Sequence, residues 1–271
     1  MPLHSREQLA ADFRELGVAA GDTIMLHASV RSVGPVAGGP DTIHLALKDA
    51  LTDSGTLFMY AGCPQYMDEV GRGDLSAEEE AEILEKMPAF DPLTARSDRS
   101  NGALVEMLRT WPDTKVNSHV ARFVAWGKNA DYLLDPTPWL YPYGRGSIFE
   151  RFVELNGKVL LLGSDHDNVT FLHYAEHIVD IPDKRVVKFR TPVLENGERV
   201  WRESEEFDTS GGAHSAFKGR FFAEIVDDFI GTAGIQSHNV GSSTAWLLPA
   251  KPLLDHALRE LKLRAAGAVG L

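Results

Sequence analysis

Two short apolar runs, joined through a glycine-bearing loop and a helix, constrain the fold more than any other feature of this chain. Thr23–His27 (TIMLH) reads as a strand, Ala28–Pro40 as a loop carrying Gly34, Gly38 and Gly39, Asp41–Leu51 as a helix with Ile43, Leu47 and Ala50 on one face, and Thr56–Tyr60 as a second strand. Strand, loop, helix, strand is a βαβ unit, and the crossover such a unit needs sets its two strands parallel. Lys158–Gly163 (KVLLLG) adds a continuous apolar run of the kind buried on both faces of a parallel sheet. The expectation is one α/β domain over residues 1–271, with a mostly parallel central sheet and an inserted lobe.

The remaining pattern fits around that core. Ser5–Leu16 is an amphipathic helix opened by a Ser5/Gln8 capping box, with Leu9, Phe13 and Leu16 as its apolar stripe. Pro64–Pro92 is acidic (AEEEAEILEK) and turn-rich, and reads as an excursion at about 64–92 over one face. Helices are expected over Asn101–Trp111, Asn168–Val179, Ala216–Phe229 and Leu253–Leu263, and strands over Arg122–Trp126, Ile235–Val240 and Ala245–Leu248. Val186–Val193 and Arg199–Phe207 flank Asn196-Gly197, the turn signal of a hairpin. No repeat or linker divides the chain.

Charge narrows the partners. With Lys+Arg 27 against Asp+Glu 39, the formal net charge is −12. Nucleic acid needs a basic stripe, and anionic membrane repels such a surface. Acidic walls do suit a cationic ligand, although solubility alone accounts for the balance. The single cysteine, Cys63, permits no intrachain disulfide and reads as a small buried hydrophobe rather than a nucleophile. The first residues lack an apolar signal core, and no apolar run approaches about 18 residues. A cytoplasmic monomer or homodimer, with no nucleic-acid or membrane partner, is expected.

Four segments carry chemistry. In LHASVRSVGPVAGGP (Leu26–Pro40), backbone N–H groups and Arg31 offer a site for a pyrophosphate, but neither a P-loop nor a dinucleotide fingerprint is present, and an ordinary βα connection accounts for the spacing. In HYAEH, His173 and His177 share a helix face, with Glu176 three residues from His173. His173 is then a general base oriented by a carboxylate, a zinc ligand in an H-x-x-E-H site, or a structural histidine. In WRESEEFDTSGG, Glu206 and Asp208 flank Phe207 and in a strand would share a face suited to ammonium groups, with Thr209 and Ser210 as hydroxyl donors; a solvated strand end is the plainer alternative. SDHDN, Ser164–Asn168, follows the KVLLLG strand, where ligand crevices open in α/β sheets. Asp167 or Asn168 there also suits the N-cap of the helix bearing His173.

Taken together, LHASVRSVGPVAGG, GTLFMYAG, PAFDPLTAR with NGALVEMLRTWP, SHVARFVAWG, YGRGSIFERFVELNGKVLLLG, FLHYAEH and EEFDTSGG resemble, in order and spacing, the aminoglycoside 3-N-acetyltransferase family from about Leu9 to Trp246. The resemblance implies that family's own α/β fold, distinct from the common small acetyltransferase fold, with acetyl-CoA as cosubstrate and no metal. It implies acetylation of the 3-amino group of the 2-deoxystreptamine ring of a cationic aminoglycoside, giving antibiotic resistance. His173 would be the catalytic base. For that chemistry Glu176 is the carboxylate near in sequence that could orient it, with Glu206 or Asp208 able to reach it from the adjoining strand, and Thr209 and backbone amides are candidate oxyanion donors. Ser29, Val30, Arg31, Ser32, Val33 and Gly34 would hold CoA, and Asp68, Glu206 and Asp208 the acceptor. The chain departs from the family's usual residues at Ala28, Cys63, Val120 and Ile148, which bears on the choice of substrate. Three alternatives remain: another amine as acceptor, a zinc hydrolase built on His173, Glu176 and His177 with Glu224 as third ligand, and a non-catalytic binding protein.

Overall fold

The computed structural model describes residues 2–67, 70–71, 73–182, 184–208, 217 and 219–267. Helix α1 (Arg6–Leu16) is capped by the Ser5 hydroxyl, which accepts from Gln8 N–H, and ends at Gly17 in the left-handed region. Strand β1 (Thr23–Ala28) follows, then the single turn α2 (Val30–Val33), helix α3 (Asp41–Leu51) and strand β2 (Thr56–Tyr60). The excursion carries α4 (Ala77–Lys86), opened by a full Ser76/Glu79 capping box. Next come α5 (Ala103–Thr110), β3 (Lys115–Val116), β4 (Phe123–Gly127), α6 (Ala130–Leu134), α7 (Ile148–Glu154), β5 (Lys158–Leu162) and α8 (Leu172–Ile178). The chain closes with β6 (Val186–Glu195), β7 (Glu198–Phe207), α9 (Phe221–Ala233), β8 (His238–Val240), β9 (Ser243–Pro249) and α10 (Ala250–Ala265).

The main sheet has the order β3-β4-β2-β1-β5-β9-β8. Its centre, β2-β1-β5, is parallel, and the pairings outside it are antiparallel. Because β3 reverses β4 and β8 reverses β9, five of the seven strands still point one way. The α/β architecture and its mostly parallel direction agree with the expectation, and the antiparallel flanks refine it.

Strand parity sorts the core into two layers. Ile24, Leu26, Leu57, Leu160 and Leu162 pack with α1, α3 and α5 on one face. Met25, Phe58, Val159 and Leu161 pack with α6–α10 on the other. The hairpin β6–β7 forms its own two-stranded sheet, with Asn196 (φ 52) and Gly197 (φ 82) both left-handed in the turn. That pair of dihedrals is what a two-residue type I′ connection requires. The excursion reaches the hairpin at Phe90, whose backbone exchanges hydrogen bonds with Pro192 and Leu194.

A buried cation ties the excursion to the sheet. Arg122 is fully buried beside β4, and its guanidinium donates to the carbonyls of Ala61 (3.1 Å), Pro92 (3.1 Å) and Ala95 (2.5 Å). Desolvation lowers its pKa, yet three carbonyl partners keep the charge tolerable. Several helices differ from the sequence reading. Helix α2 lies in the expected loop, α6 and α7 are too short to show a period, and α8 begins after a 3-10 turn (His166–Asn168) rather than at Asn168. The expected cap is also elsewhere: Asp165 accepts from Asp167 N–H, while Asp167 accepts from Ala223 N–H and so caps α9 from across the loop.

Replacing Arg122 with Met should leave buried carbonyls unpaired, at roughly 1–3 kcal/mol for each unsatisfied group. The expected result is a melting temperature lowered by several degrees with the main sheet retained, read by thermal denaturation and by faster proteolysis within 61–102. An unchanged melting curve would exclude this role for Arg122.

Candidate active site

The carboxyl ends of β1, β2 and β5 open on a cavity of about 730 Å³. Leu26–Ser29, Met59–Tyr60 and Gly163–Ser164 form its floor, the position at which open α/β sheets bind ligands. Gly163 (φ 59) is required there, because a Cβ would overlap the Ser32 and Ser243 hydroxyls and hold the end of β5 away from α2. His173 and His177 of α8, Glu206 and Phe207 of β7, Phe222 of α9 and the Ser100–Gly102 turn complete the walls.

His173 and Glu176 form a dyad. His173 Nδ1 lies 2.6 Å from Glu176 Oε2, and Glu176 is 1% exposed whereas the His173 side chain is 38% exposed. The imidazole therefore gives its Nδ1–H to a buried carboxylate and presents the Nε2 lone pair to the cavity. Tyr143 stacks on the ring (centroids 5.4 Å, planes 23° apart), and Phe222 meets it edge-on at 5.0 Å. Between them they fix its plane.

His177 is built differently. Its Nδ1–H donates to His173 O (2.7 Å), its Nε2 accepts from Phe207 N–H (3.4 Å), and Tyr141 packs on it at 4.6 Å. Burial pushes it down to about 3, so it is a neutral structural imidazole with both nitrogens engaged. A zinc site in HYAEH would need that Nε2, and the Glu224 offered as its third ligand is paired with Arg264 (2.9 Å). The geometry favours the dyad. Lys184 Nζ caps the helix end by donating to His177 O (2.6 Å) and Val179 O (3.3 Å).

The two acids expected to act as a pair are separated. Glu206 lines the cavity, and burial pushes its carboxyl up to about 8. Asp208 is fully buried and ion-paired with Arg185. The expected same-face arrangement fails because β7 ends at Phe207, and Asp208 turns back to the start of β6, its N–H donating to Arg185 O. Asp68 and Thr209 lie outside the described residues. Of the Ser29–Gly34 segment, only Ser29 lines the cavity. Val33 is core, Arg31 is exposed, and the Ser32 hydroxyl donates to Ser29 O while lying 2.8 Å from Ser243 Oγ. Ser29, Ser32 and Gly34 spend their N–H groups on Leu162, Ser29 and Arg31 carbonyls. Val30 and Arg31, the first residues of α2, keep N–H groups with no partner inside the helix. Cys63 is buried with its thiol pushed up to about 11, as suits a packing residue.

Residues that the motif reading passed over also reach the cavity: His27, Tyr60, Tyr66, Asn101 and Tyr143. Tyr143 and Tyr60 are joined hydroxyl to hydroxyl at 3.3 Å. Asp165 and Asp167 add acids to the rim, and no lysine or arginine lines the cavity among the described residues.

Residues 25–262 match the family model described as aminoglycoside 3-N-acetyltransferase. The chain belongs to that family. It is 39% identical over 265 residues to aminoglycoside N(3)-acetyltransferase III of Pseudomonas aeruginosa, covering 96% of this chain and 94% of the relative. The solved structure of AAC-IIIb with CoASH superposes with a TM-score of 0.88 at 36% identity, over 97% of this chain and 98% of the other. AAC-VIa bound to sisomicin superposes with a TM-score of 0.87 at 32% identity, over 98% of this chain and all of the other. No helix among the described residues is long and apolar enough to cross a membrane.

Two outcomes test the site's electrostatics. A carboxyl raised from 4.5 to about 8 binds more protons folded than unfolded across that window, so Glu206 makes stability fall as pH rises through it. Glu206→Gln should flatten the decline in melting temperature between pH 5 and pH 8; an unaltered slope would remove Glu206 as its source. Asp208→Asn should cost stability, about 1–3 kcal/mol, with acceptor KM unchanged. A raised KM at unchanged stability would return Asp208 to the binding surface.

Proposed function

We propose that the protein transfers the acetyl group of acetyl-CoA to the 3-amino group of the 2-deoxystreptamine ring of an aminoglycoside, and so protects its host from the drug. The observation that carries this reading is the His173–Glu176 dyad facing an acid-lined cavity without basic side chains. Family membership and the relatives' CoA and sisomicin complexes support it. The cytoplasm, where acetyl-CoA is available, is the compartment this reading requires.

In this reading His173 Nε2 takes the proton of the attacking amine, which as an ammonium has no lone pair to offer. Glu176 holds the ring by Nδ1 and stabilises the imidazolium that forms. The amine nitrogen bonds to the thioester carbon and the carbonyl pair moves onto oxygen. As the oxyanion collapses the C–S bond breaks, and the sulfur takes the proton that His173 carried. The products are the N-acetyl amide and CoASH. The thioester is already activated, so no covalent enzyme intermediate is needed. Glu206 and Asp167 supply negative potential to the other ammonium groups of the acceptor, while Asp165 is held by Arg220 at the rim. Glu206 must ionise to pair with one, so binding near neutral pH should release a proton from it. The turn at Ser29–Gly34 would hold CoA through Val30 and Arg31.

The deciding assay is CoA release over a panel of aminoglycosides and unrelated polyamines. His173→Ala should fold, bind acetyl-CoA and lose about 10²–10⁴ in kcat. His177→Ala should instead melt earlier and keep more of its kcat. Should His173→Ala keep full kcat, the dyad is structural; should only unrelated amines be acetylated, the acceptor assignment is wrong.

A further inference from the structure

One polar side chain on the cavity floor has no task in that mechanism. His27 stands near the carboxyl end of β1, the middle strand of the parallel centre, in register with Leu161 of β5. By strand parity it faces the same way as Met25, into the layer that holds α8 and His173. Its Nε2 is closed off from solvent and has no hydrogen-bond partner among the described residues. Nδ1 is not enclosed in this way and makes no hydrogen bond within the described protein, so it is the nitrogen that meets the cavity.

Those two facts set the tautomer. A buried N–H without an acceptor is rarer than an under-used lone pair. The proton therefore belongs on Nδ1, where a ligand or water can accept it, with the lone pair on the enclosed Nε2. Burial pushes the imidazole down to about 4, so the ring is neutral and acts as a donor without charge.

The surroundings say which atom. With an ammonium group bound, an ionised Glu206 together with the Asp167 carboxyl makes the cavity hostile to a forming oxyanion; Asp165 is ion-paired with Arg220, and no lysine or arginine lines the cavity among the described residues. The Asn101 amide is spent on Gly62 O and Ser97 Oγ, and the Tyr60 and Tyr143 hydroxyls are joined to each other. We propose that His27 donates its Nδ1–H to the carbonyl oxygen of the acetyl thioester and stabilises the oxyanion formed when the amine attacks. The inference rests on acetyl transfer as the reaction. In that step the carbon–nitrogen bond forms as the carbonyl pair moves to oxygen, and the amine proton passes to His173. The pair then returns, expels the CoA sulfur, and the sulfur takes the proton from His173. The His27 proton stays on Nδ1 throughout. A neutral imidazole suits this place because an imidazolium would repel the cationic acceptor.

The test compares three substitutions by steady-state kinetics, with acetyl-CoA affinity from calorimetry. His27→Leu should lower kcat by about 10²–10³, with acetyl-CoA affinity and acceptor KM nearly unchanged. His27→Asn, whose amide nitrogen falls near the place of Nδ1, should recover much of that loss. His27→Gln, reaching toward Nε2 instead, should not. Even if the leucine variant fails to fold, the Asn–Gln contrast decides. Equal impairment of Asn and Gln, a leucine variant with normal kcat, or a loss confined to acetyl-CoA affinity would overturn the proposal. If the wild-type protein acetylates no amine, acetyl transfer itself fails and the role of His27 with it; if the wild type and His27→Leu are equally active, only His27 is misassigned.

Discussion

Because β2, β1 and β5 run the same way, their carboxyl ends reach one edge of the sheet together and the chain must leave each of them there. That edge brings together three segments distant in sequence: His27–Ser29, Met59–Tyr60 and Gly163–Ser164. The antiparallel flanks widen the sheet without adding to this convergence, since β4 and β9 point the other way. What the flanks supply is anchorage. Arg122, beside β4, grips the carbonyls of the excursion, and the excursion in turn meets the hairpin that brings Glu206 to the cavity.

The walls show how the protein handles acids at different depths. Glu176 is almost fully buried and is accommodated by a partner, the His173 imidazole. Asp208 is fully buried and is accommodated by Arg185 at the protein's expense of its freedom to bind anything else. Glu206 is also buried but lies against the cavity, and its carboxyl is pushed up to about 8. Similar chemistry and next-but-one positions thus yield a carboxylate paired with an imidazole or a guanidinium in two cases and a raised carboxyl against the cavity in the third.

This is why HYAEH was legible in the sequence and the Glu206/Asp208 pair was not. Residues three and four apart on a helix are neighbours whatever the rest of the fold does, so the His173–Glu176 contact follows from spacing alone. Choosing dyad over zinc needed the tertiary partners of His177, namely Phe207 N–H and Tyr141, which no spacing reports. Period 2 places Glu206 and Asp208 together only while the strand continues, and β7 ends between them. Likewise α6 and α7, at five and seven residues, are too short to display a helical period, yet α7 carries the core residues Phe149 and Phe152. His27 left a readable signal: a polar residue at an inward position near the end of the first strand of a βαβ unit, where ligand crevices open.

A cavity that must take both a polycation and a polyanionic cosubstrate faces a contradiction, which charge separation resolves. The acids sit on the β5–α8 loop and on β7, whereas Arg31, just past β1, is exposed on α2 outside the cavity lining. Between these poles, in the proposed reading, the reacting groups would meet His27, Tyr60, Tyr143 and the Nε2 of His173. A fixed charge of either sign there would favour one substrate and repel the other, while acetyl transfer itself creates a transient anion and a transient cation side by side. A hydrogen-bonding histidine and a proton-accepting histidine can each answer one of those charges as it forms, and neither needs to carry charge beforehand.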